Sequence, residues 1–353
     1  MITRVRSKLH VVVVLVGLVL ACPARALGIL DLSVIVNTQD PLSVMIGEYY
    51  AKRRGLSFQN YIRVSFPPGK PTMEREEFAR IKEQVDRLTQ RNVQAYAITW
   101  AMPYRVDCMS ITSAFAFGFD PAFCAEGCKA TRTNPYFNAT ESLPYQRFGM
   151  RPTMAVAARS FELAKELIDR GIESDGSLPA GRAYLLTTTD ASRNVRSQLY
   201  PMAARVVEEK GLKAILRKPE AKGDKKHVLF YFIGRERVEG LETLDFVNGA
   251  IADHLTSFGG VLIDSPQMSA LRWLEAGATG SYGTVVEPCN LLQKFPHPAV
   301  VANHYLQGET LVEAYWKSVL MPGQGIFIGE PLAAPFSRST STRKLKQYKA
   351  LER

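Results

Sequence analysis

The chain has 353 residues, 46% hydrophobic and 22% charged, enough apolar material for a large folded core and too much for a disordered chain. Its formal charge of +10 sits at the two ends: Arg4, Arg6, Lys8 and Arg25 near the start, and six cations against Glu352 from Ser337 onward. That leaves the body near +1, which excludes the clustered basic face of a nucleic-acid binder.

At the N-terminus, three cations precede an apolar run from Val11 to Ala21, shorter than the roughly 20 residues a membrane-spanning helix needs. Followed by Ala24-Arg25-Ala26, it reads as a signal peptide over residues 1–26, cut after Ala26. Leu18-Val19-Leu20-Ala21-Cys22 also fits a lipoprotein box, in which Cys22 carries the lipid anchor. Both readings place the mature chain in the periplasm or outside the cell. It has no further stretch long enough to span a membrane.

Leu32 to Asn37 reads as a buried strand, Ser43 to Arg54 as a helix, Tyr61 to Phe66 as a strand, Arg75 to Arg91 as an amphipathic helix and Ala95 to Val106 as a strand. Continuous apolar strands separated by helices predict a mostly parallel sheet covered on both faces. From Asp107 to Arg147 this rhythm breaks into a long Cys-containing loop of the kind that often carries function. It resumes with strands at Met154–Ala158, Ala183–Thr188, Leu212–Leu216 and His227–Ile233, and with helices over Ser160–Arg170 and Arg193–Lys210. The last third predicts a helix over Gly249–Ser257, a strand at Val261–Asp264, a helix at Gln267–Ala276 and a strand at Gly280–Val286. A helix or helix pair over Pro298–Ser318 and a strand at Gly325–Ile328 follow. The body exceeds one typical core, so the reading is α/β with two tightly joined subdomains, 27–150 and 151–336, before a solvated basic tail, 337–353.

Removing the signal leaves Cys108, Cys124, Cys128 and Cys289, an even number in an oxidising compartment. Three complete pairings exist, and closeness in one loop favours Cys124 with Cys128. No second Cys pair or closely spaced His pair completes a zinc site, so neither metal nor cofactor is expected.

Ligands of open parallel sheets collect beyond the carboxyl ends of the strands. The polar residues there are Asn37, Arg105, Arg235, Glu236 and Glu287, and together they predict a pocket of mixed charge. Taken singly, each is explained as well by a helix cap or a loop anchor. Nucleophilic catalysis needs Ser or Cys within reach of a base. His254 and Ser257 lie three apart on a predicted helix and would share a face, and Cys289 could meet His297 or His304. A helix-end cap or a disulfide accounts for the same residues. The sequence contains no G-x-S-x-G elbow, phosphate loop or H-E-x-x-H.

Several segments, among them Gly249-Ala250-Ile251-Ala252-Asp253-His254, Glu275-Ala276-Gly277-Ala278-Thr279-Gly280, Val286-Glu287-Pro288 and Gly329-Glu330-Pro331-Leu332, resemble an uncharacterised family of exported bacterial proteins over nearly the whole mature chain. More distantly, the order of elements resembles the catalytic domain of gingipain-type, caspase-like cysteine peptidases. In those enzymes a Gly-His-Gly follows one strand of the second subdomain, and a Cys follows the next. Here the first place reads Gly234-Arg235-Glu236 and the second falls near Thr256-Ser257-Phe258-Gly259, so the resemblance implies a scaffold without its dyad. It points to an exported non-peptidase that binds a peptide or envelope component. An active hydrolase using Ser257 or Cys289, with His254, Glu236 or Glu287 as acid or base, is the alternative. A third reading is a structural partner in an envelope assembly, held through the loop from Asp107 to Arg147.

Overall fold

The computed structural model describes residues 26–125, 128–217 and 225–337. The expected signal segment, Cys22 and the basic tail lie outside the described residues, apart from Ala26 and Ser337. Strand β1 (Leu32–Asn37) is the predicted apolar run with every residue buried, as a strand covered on both faces requires. Asp40 accepts a hydrogen bond from Leu42 N, and Pro41 occupies the first turn, so α1 (Pro41–Arg54) starts ahead of the predicted Ser43.

The first half continues with β2 (Tyr61–Val64), β3 (Thr72–Met73), α2 (Arg75–Leu88), β4 (Ala95–Ile98), β5 (Arg105–Val106), β6 (Met109–Ser110), α3 (Ile111–Phe117), α4 (Pro144–Phe148) and β7 (Thr153–Ala155). Then come α5 (Phe161–Ser174), β8 (Arg182–Leu186), α6 (Tyr200–Glu209), β9 (Lys213–Arg217), β10 (Lys225–Gly234), β11 (Leu244–Leu255) and α7 (Leu271–Glu275). The chain closes with β12 (Gly280–Thr284), α8 (Pro298–Leu306), α9 (Leu311–Trp316) and β13 (Gly325–Gly329). Among the described residues, no helix is long and apolar enough to cross a membrane.

Ten strands form one sheet in the order β2-β1-β4-β7-β13-β12-β11-β10-β8-β9, and β3-β5-β6 form a small second sheet. Neighbours are parallel from β2 to β13 and from β12 to β9, whereas β12 and β13 run antiparallel. The result is an α/β fold in which two parallel blocks share an antiparallel seam. Because β13 comes from the end of the chain yet completes the first block, the two halves are knit into one sheet. Helix α1 packs on α5, α6 on α8, and α8 on α9.

Four expectations are corrected. The segment Gly249–Leu255 is the second half of a long strand, not a helix, and Thr256 and Ser257 lie beyond its end; a strand buried at every position shows no alternation that separates it from a buried helix. Val261–Asp264 is irregular, and the strand expected over Ala95–Val106 ends at Ile98, with Arg105–Val106 joining the small sheet instead. The disulfides are Cys108–Cys124 and Cys128–Cys289, so the short-range Cys124–Cys128 bridge does not form.

The seam carries a consequence for function. Across it, the carboxyl ends of the two blocks face opposite edges of the sheet. Strand-end residues from the first block therefore cannot share one cleft with those of the second.

Candidate functional site

Strands β10 and β11 are parallel, with Gly234 opposite Leu255, so the residues that follow them emerge side by side. These are Arg235-Glu236 and Thr256-Ser257, the two places at which the gingipain resemblance puts a base and a nucleophile. Position 234 must be glycine: a Cβ there would stand 2.0 Å from the Arg193 carbonyl oxygen, and backbone cannot yield that much. This close approach brings Arg193, just beyond β8, onto the ends of β10 and β11.

Arg193 ties the strand ends together. Its Nη1 donates to Asp190 Oδ2 at 3.0 Å, its Nη2 to Glu236 Oε2 at 3.3 Å, and its Nε to Thr256 Oγ1 at 3.1 Å. Thr256 Oγ1 in turn donates to Gln267 Oε1 at 2.6 Å. A pocket of about 370 Å³ opens here, lined by Arg193, Leu255, Ser257, Glu287, Cys289 and Phe295 among others. Its rim is built from the Cys128–Cys289 disulfide, which fastens the long loop of the first half across the second. Glu287 Oε1 accepts from Cys289 N at 2.7 Å, and Cys289 and Asn290 both adopt left-handed backbone, with φ of +55° and +46°. Two successive non-glycine residues in that region store strain of the kind that gathers at functional sites.

Beneath the pocket lies a buried ion pair. Arg196 Nη2 and Asp253 Oδ1 are 2.5 Å apart and both side chains are 1% exposed. The guanidinium also sits 5.2 Å from the centre of the Phe232 ring. Burial pushes the Asp253 carboxyl up, and Arg196 opposes that shift. Burial disfavours the charged guanidinium, but Asp253 more than offsets this and raises Arg196.

The predicted dyads do not assemble. His254 is buried on β11, where Trp273 Nε1 donates to its Nδ1 at 2.9 Å and its Nε2 lies 3.0 Å from Met268 O. An indole nitrogen only donates and a carbonyl only accepts, so the imidazole is neutral with its proton on Nε2. Burial lowers it to about 3. His254 and Ser257 do not lie on one helix face: His254 is buried near the end of β11, which stops at Leu255, and Ser257 sits in the turn beyond it. Cys289 has no thiol to offer. His304 lies elsewhere, between Glu309 Oε1 and Asn138 Oδ1 at 3.0 and 3.1 Å, and His297 precedes α8. Ser257 does line the pocket, and its hydroxyl makes no hydrogen bond among the described residues.

Of the predicted pocket residues, Glu287 lines the cavity, and Glu236 reaches its edge through Arg193. Asn37 is buried at the other edge, where it donates to Phe66 O and accepts from Phe66 N. Arg105 donates to Thr72 Oγ1 within the small sheet. Both do the bland work of anchoring loops. Arg193, at the predicted start of a helix, shows no local sign in the sequence that it ties the strand ends together, apart from Asp190 three residues earlier and also beyond a strand.

Comparison with solved structures bears on the scaffold. A structure described as "Structure of Protease" superposes with a TM-score of 0.50 at 11% identity, over 87% of this chain and 78% of that one. The chain has the fold of a protease domain. The complex of the pro- and mature domains of RgpB from Porphyromonas gingivalis gives a TM-score of 0.46 at 12% identity, over 86% and 79% of the two chains. No family model matches the chain, and no curated protein matches it in sequence. At 11% identity the first likeness concerns architecture alone, an α/β fold of the class expected from the order of elements.

Proposed function

We propose that this protein is an exported, non-peptidase relative of the protease scaffold that binds a peptide or cell-envelope component in the pocket beyond β10, β11 and β12. The observation that carries the reading is the state of the two adjacent strand ends. Nucleophilic catalysis of the caspase-like kind needs a thiolate and an imidazole there. The first place instead carries Arg235 and Glu236, the second carries Ser257, and the imidazole of His254 on the adjoining strand has both nitrogens committed.

What remains suits binding. Arg193, Glu287 and Asn290 surround the pocket with donors and acceptors of both charges, which match the amide groups and polar side chains of an extended peptide. Export is supported by two disulfides and by the basic, apolar and small-residue order at the N-terminus.

Purified protein starting at Leu27 tests the proposal against a peptide library, a fluorophosphonate probe and iodoacetamide. The expected result is no turnover and no labelling, with saturable peptide binding that Arg193→Met weakens at least about tenfold, the loss of one charged hydrogen-bonding group. Cleavage that disappears in Ser257→Ala would reject the proposal in favour of the hydrolase reading.

A further inference from the structure

Leu27 is the first residue after Ala24-Arg25-Ala26, the small-residue triplet at which the signal is expected to be cut. Its side chain is 5% exposed, and its backbone nitrogen donates to Glu313 Oε2 at 3.0 Å. A tight turn, in which Gly28 N donates to Asp31 Oδ2 and Asp31 N to Gly28 O, then leads the chain into β1. The residue that meets the predicted cleavage site is thus held in the core.

Glu313 occupies the third position of α9. Its Oε2 accepts from Thr310 N and Oγ1 at 3.0 and 2.6 Å, closing a capping box. The side chain is fully buried, and its Oε1 has no hydrogen-bond partner. The neighbouring Lys317 and His304 are committed elsewhere: Lys317 Nζ lies 2.8 Å and His304 Nδ1 3.0 Å from Glu309 Oε1. Among the described residues, no cationic side chain forms an ion pair with Glu313. Burial, followed by the charge of Glu309, raises the Glu313 carboxyl to about 7. A buried carboxylate in this position is costly until a cation meets it.

We propose that cleavage after Ala26 converts the Leu27 nitrogen into an α-ammonium seated against Glu313, so that removal of the signal completes a buried ion pair and locks the mature fold. In the cleavage, water adds its oxygen to the Ala26 carbonyl carbon and the Ala26–Leu27 bond breaks. The released amine, with an ordinary pKa of about 8, takes up a proton. An ammonium has three donors where the amide had one, so it keeps the bond to Oε2 and reaches the orphaned Oε1. The uncut chain has the amide bond alone. The site is therefore a receptor for the chain's own new terminus, and it reports whether processing has happened at the right bond.

This inference rests on the export reading above, and its test separates the two. Mass spectrometry of the protein recovered from its exporting cell should find Leu27 as the first residue. An N-terminus elsewhere, including a lipidated Cys22, overturns the proposal while leaving export intact. Purified protein beginning at Leu27 is then compared with protein carrying Gly-Ala ahead of it. The extended form should unfold roughly 3–6 °C lower. Glu313→Gln, which keeps the capping-box acceptor, should lower the Leu27 form and leave the extended form nearly unmoved. As a second measurement, the Leu27 amine of the folded protein should acylate at neutral pH about tenfold more slowly than in Glu313→Gln. Equal unfolding midpoints for the two N-termini, or equal acylation rates with and without the Glu313 carboxylate, would each refute the ion pair.

Discussion

The two edges of the sheet each hold a pocket at their strand ends, of about 370 Å³ beside β11 and β12 and about 430 Å³ beside β1, β4 and β7. The second is lined mainly by Leu42, Ile46, Trp100, Met102 and Ile263, and its charges are used by the fold. Asp40 caps α1, and Arg159 lies 3.1 Å from Glu275. In the first, Arg193 gathers three strand ends, Ser257 presents an uncommitted hydroxyl, and a disulfide closes the rim. Strand ends generate both cavities, but only one keeps polar groups beyond what folding consumes. That surplus is the better guide to function.

The largest effect that would sharpen this contrast comes from the rim. Cys128 and Cys289 are 161 residues apart, against 16 for Cys108 and Cys124. If the chain-entropy account holds, replacing both members of the long-range pair by Ser costs roughly 4–5 kcal/mol and the short-range pair about 3 kcal/mol. Denaturant unfolding of the two double variants checks the order. The long-range variant should also lose ligand binding in the polar pocket without altering the apolar one, and equal loss at both would show that the rim supports only the fold.

Next in size is the ion pair under the polar pocket. Arg196→Met leaves Asp253 buried without its cation and should cost about 3–5 kcal/mol, whereas Arg196→Met with Asp253→Leu should regain most of that loss. A double variant no more stable than the single one would mean that the pair is tied into interactions beyond its two members.

The same part of the molecule shows where the sequence was legible. Leu32–Asn37 is legible to the residue, because a short, nearly continuous apolar run ahead of a capped helix admits little else. The helix assigned to Gly249–Ser257 fails because Gly249–Leu255 is buried at every position, and period does not tell an all-buried strand from an all-buried helix. That one error placed His254 and Ser257 on a shared face. The cysteine pairing was illegible because tertiary packing sets it, and Cys289 finds its partner across half the chain. The clustering of Arg193, Glu236 and Thr256 follows from register between β8, β10 and β11, a long-range property with no local trace.

His254 supplies a pH test of its structural role. The unfolded imidazole takes a proton near pH 6.5, while the folded one resists until about 3, so between these values the unfolded state holds more protons. Stability from this group is thus complete above pH 6.5 and drains away as pH falls, at up to about 1.4 kcal/mol per pH unit. His254→Gln offers an acceptor to Trp273 and a donor to Met268 but no titration, so its stability curve from pH 6.5 to 3 should be flatter by about one proton. Parallel curves would show that His254 is solvated and chargeable, and would reopen it as a base.

The smallest effect, and the finest cut, lies between two neighbours at the end of β11. Thr256 Oγ1 is spent on Arg193 and Gln267, at 3.1 and 2.6 Å, and Thr256→Ala strands both partners, for a cost of about 1–3 kcal/mol. Ser257 is one residue on, faces the pocket, and has no such bonds, so Ser257→Ala should stay within about 0.5 kcal/mol of the parent. Thermal unfolding of the two variants measures the split directly. If Ser257→Ala proved as damaging as Thr256→Ala, the hydroxyl would belong to the fold and could not be the group left over for a ligand.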